Sequence, residues 1–439
     1  MTSETNREVW IIDGRRTAIG SFGRTLKKIP VEKLCSYAIK GAVREAKVPF
    51  EKIDGVYFGN GYQSAYAPNP ARIAAQQAGI PDSVPAMTVQ RQCGSGMEAV
   101  HVAVKDIKLN LGDIYVAGGG ESMSTVPYLV PGIYRFTGPL SKSFRFGPRP
   151  MFDVGAFADD GLVPATVYGD MKTTHMSGTA QRLADTYGIT RQQADEYALE
   201  SQRRANKAIE DNRFAREIEP IDVPGKGLFL KDEHPRKTTI EKLAKLPGVN
   251  PKPPRTFSAK LADNLKKFIY KTATKRNFPN ISATPTITAG NSSGINDGAC
   301  ALVLASSDKA KALGLEPLAK IIDTAVVGVD AEQMGLGPVP AIKKLLEKNG
   351  LTIEDIDLFE INEAFAAQYL ACEKLLGLDR EKVNVNGGAI ALGHPIAMSG
   401  ARIILTLAHE LKARKKKLGI AALCIGGGQG IATLIESPN

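Results

Sequence analysis

A cysteine stands at the head of a candidate helix in Val89-Gln-Arg-Gln-Cys93-Gly-Ser-Gly-Met-Glu-Ala. A sulfur there meets the positive end of a helix macrodipole and free backbone N–H groups, which favour thiolate over thiol. Glycines at 94 and 96 allow a substrate close to the backbone. A lone cysteine also reads as a small buried hydrophobe, so context must decide. Gly393-His394-Pro395 offers an imidazole, either a satisfied core histidine or the base that turns a nearby thiol into a nucleophile. Cys424 ends a candidate strand before Gly426-Gly-Gly-Gln-Gly430. Those glycines imply close approach by something; a phosphate-cradling loop fits poorly, because no Lys-Ser/Thr follows and no helix opens there. A second thiol could instead move a proton. Asn362, in Ile361-Asn-Glu-Ala-Phe365, begins a helix after a strand and reads as a helix cap or as an amide that holds a water or an oxyanion.

The elements that would position these groups alternate between strand and helix. Val9–Ile12 reads as strand, and Val31–Ala46 as a helix whose Leu34, Cys35, Ala38, Ile39 and Ala42 share one buried face. A strand at Gly55–Gly59, a helix around Ala71–Ala78, a helix opening at Ser95-Gly96 and a strand at Ile114–Ala117 follow. Such alternation indicates α/β layers. The plan then repeats. Glu51–Asn60 resembles Glu354–Asn362, and Ser95-Gly96 with the later Gly118–Gly120 resembles Ser399-Gly400 with Gly426–Gly428. Two matches in the same order favour a duplication, with the turns bearing Cys93 and His394 converging. Between the copies, roughly 127–279 reads as an inserted subdomain with helices at Gly178–Thr186 and Arg191–Glu210, since a loop of that length is implausible in a compact domain. The expected division is 1–308, containing the insertion, and 309–439.

The chain of 439 residues exceeds what one core usually serves. Its five cysteines (35, 93, 300, 372, 424) show neither a disulfide framework nor a metal-ligand spacing. The formal charge of +10 is concentrated: segment 251–280 alone carries +7, which argues against a general polyanion surface and against nucleic acid as a partner. That segment has a helical apolar stripe with lysines beside it, read as a docked helix with a solvated face, as a weak membrane or protein contact, or as an attraction for phosphates. No apolar run is long enough to cross a membrane. Neither end resembles a signal sequence or a peroxisomal tripeptide, so a cytoplasmic location is the expectation.

Taken in order, Cys-x-Ser, Asn-Glu-Ala-Phe, Gly-His-Pro and Cys-x-Gly resemble the four signature elements of the thiolase family. The resemblance runs from Val9 to Glu436 and includes Gly118–Ser124, His175-Met176 and Thr288–Gly298. It implies a duplicated fold of five αβαβα layers with an inserted loop domain, a homodimer or homotetramer, and an active site where the halves meet. It implies that Cys93 takes the acyl group, that His394 activates it, and that Cys424 moves the α-proton. Asn362 with a water, and the amides of Cys93 and Gly426, would hold oxyanions. Ser293, His175, Met176, Phe365 and Ala364 would line the coenzyme A path, with acyl-CoA as substrate and no permanently bound cofactor. Met398 departs from the family pattern and would add bulk near the acyl site. A ketoacyl synthase is disfavoured by residue order, and a non-catalytic lipid or acyl-CoA carrier by the intact set. Acetyl-CoA acetyltransferase is the preferred subtype, with degradative 3-ketoacyl-CoA thiolase the alternative.

Overall fold

The computed structural model describes residues 7–64, 66–129, 159–160, 176–249 and 285–438. His175 and the basic segment 251–280 lie outside them. The first half runs β1 (Val9–Thr17), α1 (Val31–Ala46), β2 (Gly55–Gly59), α2 (Pro70–Ala78), β3 (Ala86–Val89), α3 (Ser95–Lys108) and β4 (Ile114–Ser122). Helices α4 (Met176–Tyr187) and α5 (Arg191–Glu210) follow. The first sheet is completed by β5 (Asn296–Ser306). The second half runs β6 (Ala319–Gly328), α6 (Pro338–Asn349), β7 (Leu358–Ile361), α7 (Ala366–Leu376), α8 (Ile396–Arg414), β8 (Leu418–Ile425) and β9 (Gln429–Glu436).

The strand order is β7-β8-β9-β6-β1-β5-β4-β2-β3. Both halves therefore use one topology. In each, a first strand pairs antiparallel with the last, the last with the penultimate, and the inner strand parallel to its neighbour. The first strands join the halves, Val9 opposite Ile321 and Ile11 opposite Ala319. Equivalent side chains do equivalent work. Asp54 accepts from the amides of Asp113 and Ile114 at 2.7 and 2.9 Å, and Asp357 from those of Lys417 and Leu418 at 2.9 and 3.0 Å. A third echo, Ile11-Ile-Asp13 and Ile321-Ile-Asp323, carries a register shift in both copies, and the reading of the sequence passed over it.

The duplication differs from expectation in three places. Gly118–Gly120 lie inside β4, whereas Gly426–Gly428 form the turn between β8 and β9, so the two glycine runs are not equivalent. The second copy has no counterpart of β3 beyond a single bridge from Val383 to Phe359. Helix α8 opens at Ile396 rather than at Ser399-Gly400, because Pro395 cannot donate and its φ of −64° suits a helix entry.

Helices α3 and α8 form the middle layer and pack on each other, while α1 with α2 and α6 with α7 cover the outer faces. The central crossing is close. A Cβ on Gly96 would sit 2.2 Å from the carbonyl oxygen of Ala397, and one on Gly400 would sit 2.6 Å from the amide nitrogen of Met97. Only glycine permits backbones to meet at that distance. Met398, on the same turn of α8, is fully buried in the core against Gly298 and does not line the cavity described below, so its bulk does not reach an acyl pocket there.

The residues after α5 are tied to this core by charge. Arg16 on β1 is fully buried and donates to both oxygens of Asp232, at 2.7 and 2.9 Å, and to Glu217 at 3.1 Å. Asp232 also accepts from the amide of Ile19 at 2.8 Å, and Glu217 from Thr406 of α8 at 3.0 Å. Among the described residues, no helix is long and apolar enough to cross a membrane. Arg16→Met should leave the buried Asp232 carboxylate without its cation, and Glu217 with Arg213 alone, and lower stability by about 3–5 kcal/mol. Urea denaturation followed by circular dichroism measures this, and a midpoint equal to that of the unaltered chain contradicts it.

Candidate active site

Cys93 lies in a one-turn 3-10 segment, Gln92–Gly94, that feeds α3. Gln92 has φ +44°, a conformation unusual for a residue with a side chain. The turn is closed by Ser95 Oγ, which accepts from the Arg91 amide at 2.8 Å and donates to the Gln92 carbonyl at 2.6 Å. The Gly426 amide, from the β8–β9 hairpin of the other half, donates to the Cys93 sulfur. Burial pushes the Cys93 thiol up to about 11, helped by the nearby Glu121 carboxylate, and the amides of Gly426 and Cys93 recover only part of this. The expectation of a lowered pKa is therefore overturned: desolvation outweighs the helix terminus.

His394 follows the short helix Ala389–Leu392 and precedes α8. Its amide donates to Asn296 Oδ1 at 3.0 Å, beneath Gly393, whose φ of +107° and 2.5 Å clearance to Asn296 Cγ would exclude a side chain. The imidazole Nδ1 lies 2.6 Å from Ser399 Oγ, which itself donates to the Pro395 carbonyl at 3.0 Å. Ser399 has spent its proton there, so Nδ1–H is the donor between them and Nε2 presents a lone pair. Nε2 is buried without a hydrogen-bond partner among the described residues, so no bond links it to Cys93, contrary to the expected hydrogen-bonded pair. Burial and the Arg402 cation lower the imidazole to about 4. The resting pair is thus a neutral thiol and a neutral imidazole.

Cys424, one residue before the end of β8, is buried, and its thiol is held well above its ordinary value by that burial, then by Cys93 and Cys372. Asn362 lies in the link between β7 and α7, four residues before the helix begins, so it is not the cap; Phe365 occupies that position. Its amide is buried, and neither Oδ1 nor Nδ2 has a partner among the described residues. The adjacent Glu363 anchors this link, accepting from Tyr197 and Ser201 of α5 at 2.7 Å each, from Asn384 at 3.1 Å and from the Ile390 amide at 3.1 Å. The strand-like segment 291–293 runs beside Ala364–Ala366, with the Ser293 amide donating to the Ala364 carbonyl at 3.0 Å.

Cys93, His394 and Cys424 open on one cavity of about 890 Å³, together with Ser293, Met176, Phe365 and Ala364. Asn362 and Gly426 stand behind its wall. Met123, which lies within the Gly118–Ser124 motif, also lines it, as do Met334, Arg24, His234 and Arg236, which the sequence motifs did not mark. Glu121 was likewise passed over as a functional side chain. It accepts from Asn60 at 2.7 Å, from the amides of Gly61 and Tyr62 at 3.0 and 3.1 Å, and from the Ala397 amide at the start of α8 at 3.2 Å. Burial raises its carboxyl to about 7 despite those bonds.

Two sulfurs and an imidazole around one cavity, at the N-termini of paired central helices, suit covalent acyl transfer. Known proteins agree. Residues 9–259 match the thiolase N-terminal domain and 315–437 the thiolase C-terminal domain, so the chain belongs to the thiolase family, a family of acyltransferases. It is 44% identical to the acetyl-CoA acetyltransferase of Escherichia coli K12, over 98% of this chain and 99% of that one. The crystal structure of the Bacillus anthracis acetyl-CoA acetyltransferase matches with a TM-score of 0.84 at 41% identity, covering 99% and 100% of the two chains. That of human mitochondrial 3-ketoacyl-CoA thiolase in complex with CoA matches at 0.83 and 38%, covering 99% and 98%.

With the thiol at about 11, alkylation of Cys93 by iodoacetamide in the free enzyme should accelerate about tenfold per pH unit from 7 to 10. Peptide mass mapping across that range reads it, and a rate already level below pH 8 contradicts a protonated resting thiol.

Proposed function

We propose that this chain is an acetyl-CoA C-acetyltransferase, which interconverts acetoacetyl-CoA plus coenzyme A with two acetyl-CoA. The observation that carries the reading is the single cavity shared by Cys93, His394 and Cys424, with the Gly426 amide on the Cys93 sulfur. In the thiolysis direction, Cys93 Sγ attacks the 3-keto carbon and its proton passes to His394 Nε2. The keto oxygen becomes an oxyanion held by the amides of Cys93 and Gly426, and one such donor is typically worth about 3–4 kcal/mol. The C2–C3 bond then breaks. The departing enolate of acetyl-CoA, its oxygen held by His394 Nε2–H and a water on Asn362, takes a proton from the Cys424 thiol.

Coenzyme A next enters and gives its thiol proton to the Cys424 thiolate. Its sulfur attacks the acyl-Cys93 carbonyl, and the released Cys93 sulfur recovers its proton from His394. A Cys424 thiol held above its ordinary value is protonated at rest, as a proton donor to the enolate must be. Ser293, Met176, Phe365 and Ala364 would flank the pantetheine, with His175 assigned to the same path by resemblance, and Arg24 and Arg236 offer cations to the phosphates. The acetoacetyl subtype rests on the names of the similar relatives. The second reading, a degradative 3-ketoacyl-CoA thiolase, is favoured by the near-equal match to the human enzyme.

A cytoplasmic location and a homodimer or homotetramer belong to the same proposal. The outer edge of β3 ends the sheet without a partner strand among the described residues, and Met87 on it is 43% exposed. An open edge of this kind invites pairing with a second copy. Sedimentation velocity should show no 47 kDa species at micromolar concentration, and a monomer peak there removes the oligomer from the proposal.

The function itself is tested by thiolysis of 3-ketoacyl-CoAs of increasing length. A fall in kcat/KM of at least about tenfold beyond four carbons is expected from lost fit in the acyl pocket; a flat profile moves the enzyme to the degradative class. The roles are read by intact mass after incubation with acetyl-CoA. Cys93→Ala should carry no added acetyl group, whereas Cys424→Ala should be acetylated yet form no acetoacetyl-CoA. An acetyl adduct on Cys93→Ala would sink the assignment.

A further inference from the structure

The Gly426 amide reaches the Cys93 sulfur from the opposite half of the molecule, so something must fix the β8–β9 hairpin against the turn before α3. One side chain bridges them directly. Arg91 Nη1 donates to Gln429 Oε1 at 2.6 Å, and Gln429 is the first residue of β9, paired across the hairpin with Ile425. The Arg91 Nε lies 3.1 Å from Glu98, which is buried on the first turns of α3. At its backbone, Arg91 accepts from the Gly94 amide at 2.9 Å and donates to Ser95 Oγ, closing the turn that holds Gln92 at positive φ. Arg91 is not among the residues that line the cavity.

We propose that Arg91 is a positioning residue: by bridging Gln429 and Glu98 across the two halves, it fixes the Gly426 amide on the Cys93 sulfur. The hairpin turn is built of three glycines and has little stiffness of its own. Its other fastenings include the Val329 amide on the Gly428 carbonyl at 2.8 Å and the close seat of Gly337 on Gln429, both towards β6 and α6, and the apolar packing of Ile425 against Gly94 beside the sulfur. Arg91 and Gln429 hold the side that faces the sulfur. An oxyanion donor works only when it is aimed before charge develops, and displacement by about 1 Å costs about 100-fold in rate. Without Arg91, the amide would support both the thiolate and the tetrahedral oxyanion less well, while the substrate path stays intact.

This inference rests on Cys93 being the acylated residue. The test is a set of holoenzyme-grade preparations of Arg91→Gln, Arg91→Lys, Gln429→Ala and the double variant Arg91→Gln/Gln429→Ala. Pre-steady-state acetylation of Cys93 by acetyl-CoA is followed by quenched-flow mass analysis, with Cys93 alkylation against pH as the second readout. Arg91→Gln should slow acetylation about 10- to 100-fold, move the alkylation profile to higher pH, and leave KM within about threefold, since substrate contacts are untouched. Gln429→Ala should show the same defect, and the double variant should be no worse than the single ones, because both remove one bridge. Arg91→Lys should recover part of the rate through its remaining charge near Glu98.

Wild-type acetylation and alkylation profiles in Arg91→Gln would overturn the proposal. So would additive defects in the double variant, or a lowered melting temperature with both readouts unchanged. If Cys93→Ala still acquires an acetyl group, the assignment of the nucleophile has failed. If that variant is inert while Arg91→Gln reacts normally, only the positioning role has failed.

Discussion

The structure depends on one contact: the crossing of α3 and α8 at Gly96 and Gly400, where backbone meets backbone. Both helices begin at that point, so the Cys93 turn and the His394 link meet there, with no room for a residue between them. The sheets, joined by their first strands, set the angle at which the helices arrive. The β8–β9 hairpin then projects from one half onto the helix of the other. The cavity follows from that arrangement, because Cys93 comes from one half while His394, Cys424 and the Gly426 amide come from the other.

The surrounding polar network shows how side chains from several elements tie such a site together. Glu121 and Glu363 reach the cavity groups only through a helix amide and a chain link, whereas Ser399 bonds the His394 imidazole directly. Each is buried and bonded to groups from more than one element, so a shift in one segment would break bonds in another. Asn60 and Asn362 occupy matching ends of the repeated motif. The first is bonded to Glu121 and the Gly120 carbonyl, while the second has its amide unspent. The repeat thus places a bonded amide in one copy and, among the described residues, an unbonded amide at the matching place in the other.

Much of this was legible in the residues. The stripe Leu34, Cys35, Ala38, Ile39, Ala42 predicted α1 to the residue, and the Glu51–Asn60 echo predicted the repeat whose aspartates cap matching strands. Cys93, His394 and Cys424 were placed in one cavity by that symmetry. Less legible were effects of depth. A helix terminus suggests a lowered thiol pKa, but the sequence does not show how little water reaches the sulfur. Asn362 looked like a cap because Asn often is one, and only tertiary contacts show the helix starting at Ala366. Glycine runs matched by eye proved to be strand interior in one copy and turn in the other, since glycine identity does not reveal whether it serves close packing or positive φ. Arg91, Glu121 and Glu363 were unreadable as functional because their partners lie far away in the chain.

The neutral resting state of the sulfur has a wider consequence. Peroxides and electrophilic metabolites attack thiolates far faster than thiols. An idle enzyme that keeps Cys93 protonated is poorly reactive towards them, although the residue stands open to a broad cavity. The same burial that opposes ionisation of the sulfur thus also works against its side reactions.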